Sequence, residues 1–146
     1  MIWKKQKLAG HSILIVEPDP FIAIDLQDTF AHEGARVVTA FRLERALQLA
    51  ERPALSAAVI DSALGAEDRE ALCWRLAERK VPFVFYSERM TRGLGDWGDV
   101  PLITKPADGN KVVEVVTSLL GAGAASPGEG RQTQLVPRDH SRRRTG

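Results

Sequence analysis

Four residues that can take part in phosphoryl or metal chemistry stand at the ends of separate short apolar runs. They are Glu17, Asp61, Ser87 and Lys105. If the runs are strands of one parallel sheet, their carboxyl ends share an edge, which is where such sheets bind ligands. The two carboxylates, the hydroxyl and the ammonium would then lie in one crevice. This combination predicts a site for a divalent cation and a phosphoryl group.

Phosphoryl transfer gives each of these side chains a role. The reaction needs an in-line acceptor oxygen and positive charge beside the equatorial oxygens. Asp61 offers the acceptor carboxylate, and Mg²⁺ held by oxygen ligands bridges the carboxylates and the phosphoryl oxygens. Lys105 supplies a further point charge, and Ser87 supplies a hydroxyl that can follow the new phosphoryl group.

The hydrophobic pattern places these residues on an alternating α/β frame. Continuous apolar runs predict five strands, at 12–16, 36–39, 57–60, 82–86 and 101–104. The segments between them have helical spacing, although glycines weaken the helix expected at 88–99. Asp19 followed by Pro20 predicts the cap and first turn of the first helix. Such alternation predicts a parallel sheet covered by helices on both faces.

Composition suggests three regions: an N-terminal extension at 1–11, a folded domain at 12–120 and a disordered basic tail at 121–146. The tail carries five arginines against two acids, a net of +3, whereas the whole chain is +1. The remainder is therefore near −2, which does not favour polyanion binding by the folded body. The single cysteine makes no internal disulfide, and no apolar run is long enough to span a bilayer. These features predict a cytoplasmic protein.

Four stretches in this order and spacing resemble the receiver domains of two-component response regulators. They are Ile-Leu-Ile-Val-Glu17, Val-Ile-Asp61-Ser-Ala-Leu-Gly65, Pro-Phe-Val-Phe-Tyr-Ser87 and Leu-Ile-Thr-Lys105-Pro106. The resemblance implies a flavodoxin-like, doubly wound sheet with strand order 2-1-3-4-5. It also implies a stand-alone phosphoacceptor signalling domain rather than an enzyme, which receives its phosphoryl group from a sensor histidine kinase or a histidine phosphotransfer protein.

The resemblance assigns a role to each matching residue. It implies Asp61 as the phosphoacceptor, Glu17 as an acidic-pocket residue, Ser87 as the switch hydroxyl and Lys105 as the family's lysine. It further implies that the backbone carbonyl of Ala63 is a ligand of Mg²⁺. Receiver domains often pair through their fourth and fifth helices, so the resemblance also allows a homodimer. The output partner is not indicated by any residue.

The chain departs from the family pattern at three places. The family normally has two adjacent acids after the first strand, but here Glu17 is followed by Pro18. Weaker Mg²⁺ binding is therefore expected, with Asp19 as a further candidate ligand. Leu102 stands where the family often has an aromatic residue that moves with the switch. The glycine-rich 88–99 segment weakens a helix that the family often uses for output.

These departures keep a second function open: a pseudo-receiver that binds proteins without being phosphorylated. A third function, binding of a phosphorylated cofactor such as a flavin, is disfavoured because the first strand-to-helix loop lacks a phosphate cradle. The three arginines at 142–144 follow no recognition helix, so signalling through protein contacts is favoured over nucleic acid binding. Trp97, among glycines, fits either a partner contact or a local plug of the core.

Overall fold

The sheet has the five predicted strands in the predicted order. The computed structural model describes residues 6–61, 64–88 and 95–125. The strands are β1 (Ser12–Val16), β2 (Arg36–Ala40), β3 (Ala57–Ile60), β4 (Phe83–Ser87) and β5 (Leu102–Thr104). All pairings are parallel and the order is β2-β1-β3-β4-β5, which confirms the doubly wound α/β fold.

Helices cover both faces of this sheet. In the described ranges they are α1 (Pro20–His32), α2 (Leu43–Leu49), α3 (Ala66–Glu78) and α4 (Gly109–Ala125), with a 3-10 turn at Gly95–Trp97. The helices α2 and α3 contact each other, as do α1 and α4. Each pair encloses its own apolar core against the sheet. None of the described helices is long and apolar enough to cross a membrane.

Alternation along the central strands divides their side chains between the two cores. Because successive side chains of a strand point to opposite faces, every second residue joins the same core. The core under α2 and α3 contains Leu14, Val16, Ala58, Ile60, Phe83 and Phe85. The core under α1 and α4 contains Ile13, Ile15, Ala57, Val59, Val84 and Tyr86.

The start of α1 follows the predicted capping pattern. The side chain of Asp19 accepts a hydrogen bond from Phe21 N at 2.9 Å, and Pro20 occupies the first helical position. The helix ends just before Gly34, whose φ of +93° is readily adopted by glycine. The carboxyl end of β1 is thereby joined to α1 by a short, fixed connection.

Both ends of the folded domain differ in detail from the sequence pattern. Leu8, within the expected N-terminal extension, is buried in the core under α1 and α4, and its N–H donates to Glu33 O at 2.9 Å. At the other end, α4 continues through Ala125, five residues beyond the expected boundary at 120. Alanines at 122, 124 and 125 favour helix and offset the nearby glycines. Residues 126–146 lie outside the described part of the chain.

The Trp97 side chain fills a space in the core under α2 and α3. Its indole is fully buried, and its ring makes edge-to-face contacts with Trp74 at 5.3 Å and Phe83 at 5.5 Å between centroids. The indole N–H donates to Glu70 Oε2 at 3.1 Å, so the polar atom of the ring has a partner. Between β4 and β5 the described residues form one 3-10 turn, at 95–97, and residues 89–94 of the expected helix lie outside the described ranges.

Candidate functional site

The strand register brings the four candidate residues to one edge of the sheet. Glu17 directly follows β1, Asp61 directly follows β3, Ser87 is the last residue of β4, and Lys105 directly follows β5. Asp61 N donates to Val16 O at 2.9 Å, and Lys105 N donates to Ser87 O at 2.6 Å. These backbone bonds fix where each side chain leaves the sheet.

The ammonium of Lys105 bridges both carboxylates of the site. Its Nζ lies 2.7 Å from Glu17 Oε1 and 3.2 Å from Asp61 Oδ2. All three side chains are buried, with 6% of Lys105, 3% of Glu17 and 8% of Asp61 exposed. Buried ion pairs persist when good geometry offsets the cost of desolvation. The structure thus brings three of the predicted site residues into direct contact.

Burial and pairing act in opposite directions on these charges. Burial raises the pKa of Glu17 above its ordinary value, and it outweighs the hydrogen bonds from Lys105 and Asp19 N that favour the ionised form. Burial also tends to lower the pKa of Lys105, but the hydrogen bond to Glu17 and the charges of Asp61 and Glu17 raise it overall. The Lys105 ammonium therefore pairs with two carboxylates at once.

Ser87 lies at the same edge of the sheet as the other three residues. The Ser87 side chain is buried at the end of β4, and its carbonyl accepts the Lys105 backbone bond described above. Ala63, whose carbonyl was expected to bind the metal, lies outside the described residues.

Asp19 has a structural role at the start of α1. Its carboxylate caps α1, while its own backbone N–H donates to Glu17 Oε2 at 3.1 Å. This second bond holds the carboxylate oxygen of Glu17 that does not contact Lys105. Within the described ranges, no group of three or more His, Cys, Asp and Glu side chains is arranged to hold a metal.

The donor set nevertheless suits Mg²⁺. The carboxylates of Glu17 and Asp61 both contact the Lys105 ammonium, so they lie close enough together to share a cation. Carboxylate oxygens are also ligands that Mg²⁺ takes. The ion commonly uses one or two carboxylates and keeps several waters. These two residues would therefore hold it.

Tyr86 is a site neighbour that the sequence reasoning missed. Its hydroxyl donates to Ala107 O at 3.1 Å and accepts from Ala107 N at 3.2 Å. Lys105 Nζ lies over its ring, 5.3 Å from the centroid. A tyrosine next to Ser87 in a buried strand was the available signal, since a buried tyrosine hydroxyl needs a partner. Leu102, at the position often aromatic in receivers, packs against the core under α2 and α3.

Comparison with known proteins identifies the fold. No family model and no curated protein matches the chain. Its structure is similar to a response regulator receiver protein from Sinorhizobium medicae, with 18% identity and a TM-score of 0.64, covering 77% of this chain and 96% of that one. The receiver domain of the TMAO respiratory system response regulator TorR gives 26% identity and a TM-score of 0.66, covering 77% and 98%.

A further similar structure contains a metal. The receiver domain of the sensor histidine kinase PA1611 from Pseudomonas aeruginosa is 21% identical with a TM-score of 0.64, covering 77% of this chain and 99% of that one. That structure is described with a magnesium ion coordinated in its active site cleft. The similarity of all three structures extends over nearly the whole of each receiver domain.

Proposed function

We propose that this chain, whose fold is that of the response regulator receiver domains, accepts a phosphoryl group on Asp61. The donor would be a sensor histidine kinase or a histidine phosphotransfer protein, and the phosphorylated domain would signal by protein contact. One observation carries the proposal: Lys105 contacts both Asp61 and Glu17 at the carboxyl edge of the sheet. An acceptor carboxylate beside a fixed cation is what phosphoryl transfer requires.

The proposed step forms one bond and breaks one. An Asp61 carboxylate oxygen attacks the phosphorus and forms an O–P bond, while the bond from phosphorus to the donor atom breaks. Its electron pair goes to the donor, and the product on Asp61 is an acyl phosphate. Lys105 offers positive charge to the transferred group, and Ser87 offers a hydroxyl. Mg²⁺ bound by Glu17 and Asp61 would neutralise charge on the phosphoryl oxygens.

We infer that Mg²⁺ binds more weakly here than in a receiver with two adjacent acids. Pro18 replaces the second acid, and the Asp19 carboxylate caps α1. Lys105 also competes for the same two carboxylates. Millimolar or higher Mg²⁺ should therefore be used before a negative result is accepted.

Asp61→Asn is expected to abolish phosphorylation. The full chain would be incubated with acetyl phosphate and Mg²⁺ and its intact mass measured. The native chain should gain the mass of one phosphoryl group, and the variant should gain none because asparagine has no acceptor carboxylate oxygen. Asp19→Asn is the matched control: asparagine also caps a helix, so this variant should still be labelled. An equal adduct on Asp61→Asn would place the phosphoryl group elsewhere.

A pseudo-receiver function is the second candidate, and one observation favours it. The Lys105 ammonium forms ion pairs with the same two carboxylates that would bind the metal. Under this hypothesis the native chain would show no adduct at any Mg²⁺ concentration, and its partner binding would survive Asp61→Asn. Binding lost in that variant would contradict the pseudo-receiver function.

The partner surface that we propose lies on the first turns of α1. Phe21 and Ile24 are 83% and 55% exposed and are three residues apart, so they lie side by side on the helix. They belong to the helix that begins just after Glu17, at the same edge as Asp61. Exposed aromatic residues are often central to protein interfaces. We therefore expect the phosphoryl donor to contact them.

Phe21→Ala should separate protein donors from small ones. A panel of phosphorylated histidine phosphotransfer proteins would be tested, and the fastest donor kept. Loss of an interface anchor costs about 2 kcal/mol, so transfer at limiting donor should slow about 30-fold. Labelling by acetyl phosphate should not change, because Phe21 points away from the protein. Equal slowing with both donors would mean that the substitution damages the site rather than the interface.

A further inference from the structure

We propose that Tyr86 is a positioning residue for Lys105, holding the lysine ammonium against the two carboxylates. The part of this proposal that concerns reaction rate rests on the proposed phosphorylation of Asp61. The part that concerns the position of Lys105 does not. The observations are the two hydrogen bonds of the tyrosine hydroxyl and the location of the ammonium over its ring.

The hydroxyl fixes the backbone that follows Lys105. Residue 106 is proline, which has no N–H, so Ala107 is the first residue after Lys105 whose backbone can donate a hydrogen bond. Tyr86 Oη binds both the N–H and the carbonyl of Ala107, at 3.2 and 3.1 Å. On the other side, Lys105 N donates to Ser87 O. The last two residues of β4 thus hold the backbone on both sides of Lys105.

The ring limits where the ammonium can go. Lys105 Nζ lies 5.3 Å from the ring centroid, within the range of a cation–π contact. The ring itself cannot move easily, since Tyr86 is buried in the core under α1 and α4. The same ammonium reaches Glu17 and Asp61 on its other sides. The position of Nζ is therefore set by three groups, namely the carboxylates of Glu17 and Asp61 and the uncharged ring of Tyr86.

A tyrosine that only filled the core would behave differently. Val84, on the same face of β4, is fully buried and belongs to the same core, but its side chain has neither a polar group nor an aromatic ring. Its truncation should disturb core packing alone. Val84→Ala is therefore the matched control for substitutions at Tyr86.

The first readout requires no phosphorylation. In the NMR spectrum of the full chain, the ε-methylene protons of Lys105 should be shifted upfield by the Tyr86 ring current, and Lys105→Met would assign them. Tyr86→Phe and Val84→Ala should keep the shift, whereas Tyr86→Leu should return these protons to the ordinary lysine position. Unshifted protons in the native chain, or an unchanged shift in Tyr86→Leu, would overturn the proposal.

The second readout is the rate of labelling by acetyl phosphate at saturating Mg²⁺. Losing the hydroxyl bonds in Tyr86→Phe should lower the rate constant about 5-fold, and losing the ring as well should lower it about 30-fold. KM for the donor should not change. In the Lys105→Met background, Tyr86→Leu should have less than about a 2-fold effect, since it acts through the lysine. Fully additive effects would contradict a positioning role. If the native chain is not labelled, the proposed function fails, and the proton shift still decides the position of Lys105.

Discussion

Lys105→Met is expected to destabilise the protein by about 3–5 kcal/mol at neutral pH, because it removes the ammonium that pairs with two buried carboxylates. Glu17 and Asp61 both lie within 3.2 Å of the ammonium and are more than nine-tenths buried. Methionine fills a similar volume, so loss of charge rather than loss of packing dominates the effect. The free energy of unfolding would be measured by urea titration, with the exposed Lys111→Met as control.

The pH dependence of this destabilisation distinguishes loss of charge from loss of packing as its cause. The pKa of Glu17 is raised above its ordinary 4.5 by burial, so the folded state binds protons more readily than the unfolded state. The Glu17 contribution to stability therefore falls as pH rises above 4.5 through the folded-state pKa. Without Lys105 the pKa of Glu17 should rise further, because its hydrogen bond to the ammonium is lost. The destabilisation should thus be smaller near pH 4.5 than at pH 7. Equal destabilisation at both values would point to packing instead of charge.

The stability of the native chain should also change with pH in the alkaline range. The pKa of Lys105 is raised above its ordinary 10.5, since pairing with Glu17 and Asp61 outweighs burial. Its contribution to stability is complete below that ordinary value and is lost as pH rises through the folded-state pKa. The native chain should therefore lose, above about pH 10.5, part of its stability advantage over Lys105→Met.

Trp97→Ala is expected to cost about 3–5 kcal/mol of folding stability, the range for truncating a large buried aromatic side chain. The ring is fully buried against Trp74 and Phe83, and its N–H is bonded to Glu70. The alanine variant would leave a cavity between α3 and the turn that precedes β5. Urea unfolding followed by circular dichroism would measure the loss.

Two further variants separate the contributions at this position. Trp97→Phe keeps an aromatic ring but leaves Glu70 without the indole donor, so its cost should be smaller than that of alanine. Trp74→Ala removes a ring that is partly exposed and should also cost less than Trp97→Ala. A loss below about 1 kcal/mol for Trp97→Ala would mean that this turn is not part of the stable core.

Elements whose pattern is local could be predicted from the sequence. The bounds of β1 and β3 match the predicted runs at 12–16 and 57–60, because every residue of these strands after Ser12 is apolar and buried. The start of α1 followed from Asp19 and Pro20, which act within one turn. The meeting of Glu17, Asp61 and Lys105 followed from topology, since parallel strands present their carboxyl ends at one edge.

Features that depend on distant contacts could not be predicted. The burial of Leu8 depends on Glu33, and that of Trp97 depends on Glu70 and Trp74, all far away in sequence. No periodicity near either residue signals these partners. The pairing of the Tyr86 hydroxyl with a backbone 21 residues further along is of the same kind. The positions of the strand ends were enough to locate the site from the sequence. The partners of the individual side chains became known only from the packed structure.

The alternation of side chains along β4 has a consequence for how a change at the site could affect the rest of the molecule. Phe83 and Phe85 belong to the core under α2 and α3, whereas Val84 and Tyr86 belong to the core under α1 and α4. Ser87, by the same alternation, continues the first of these rows. Tyr86 and Ser87, at the end of β4, therefore connect the site to the helix layers on opposite faces of the sheet. A binding protein on either layer would be within reach of a change at Asp61, and two such proteins would not have to compete for one surface.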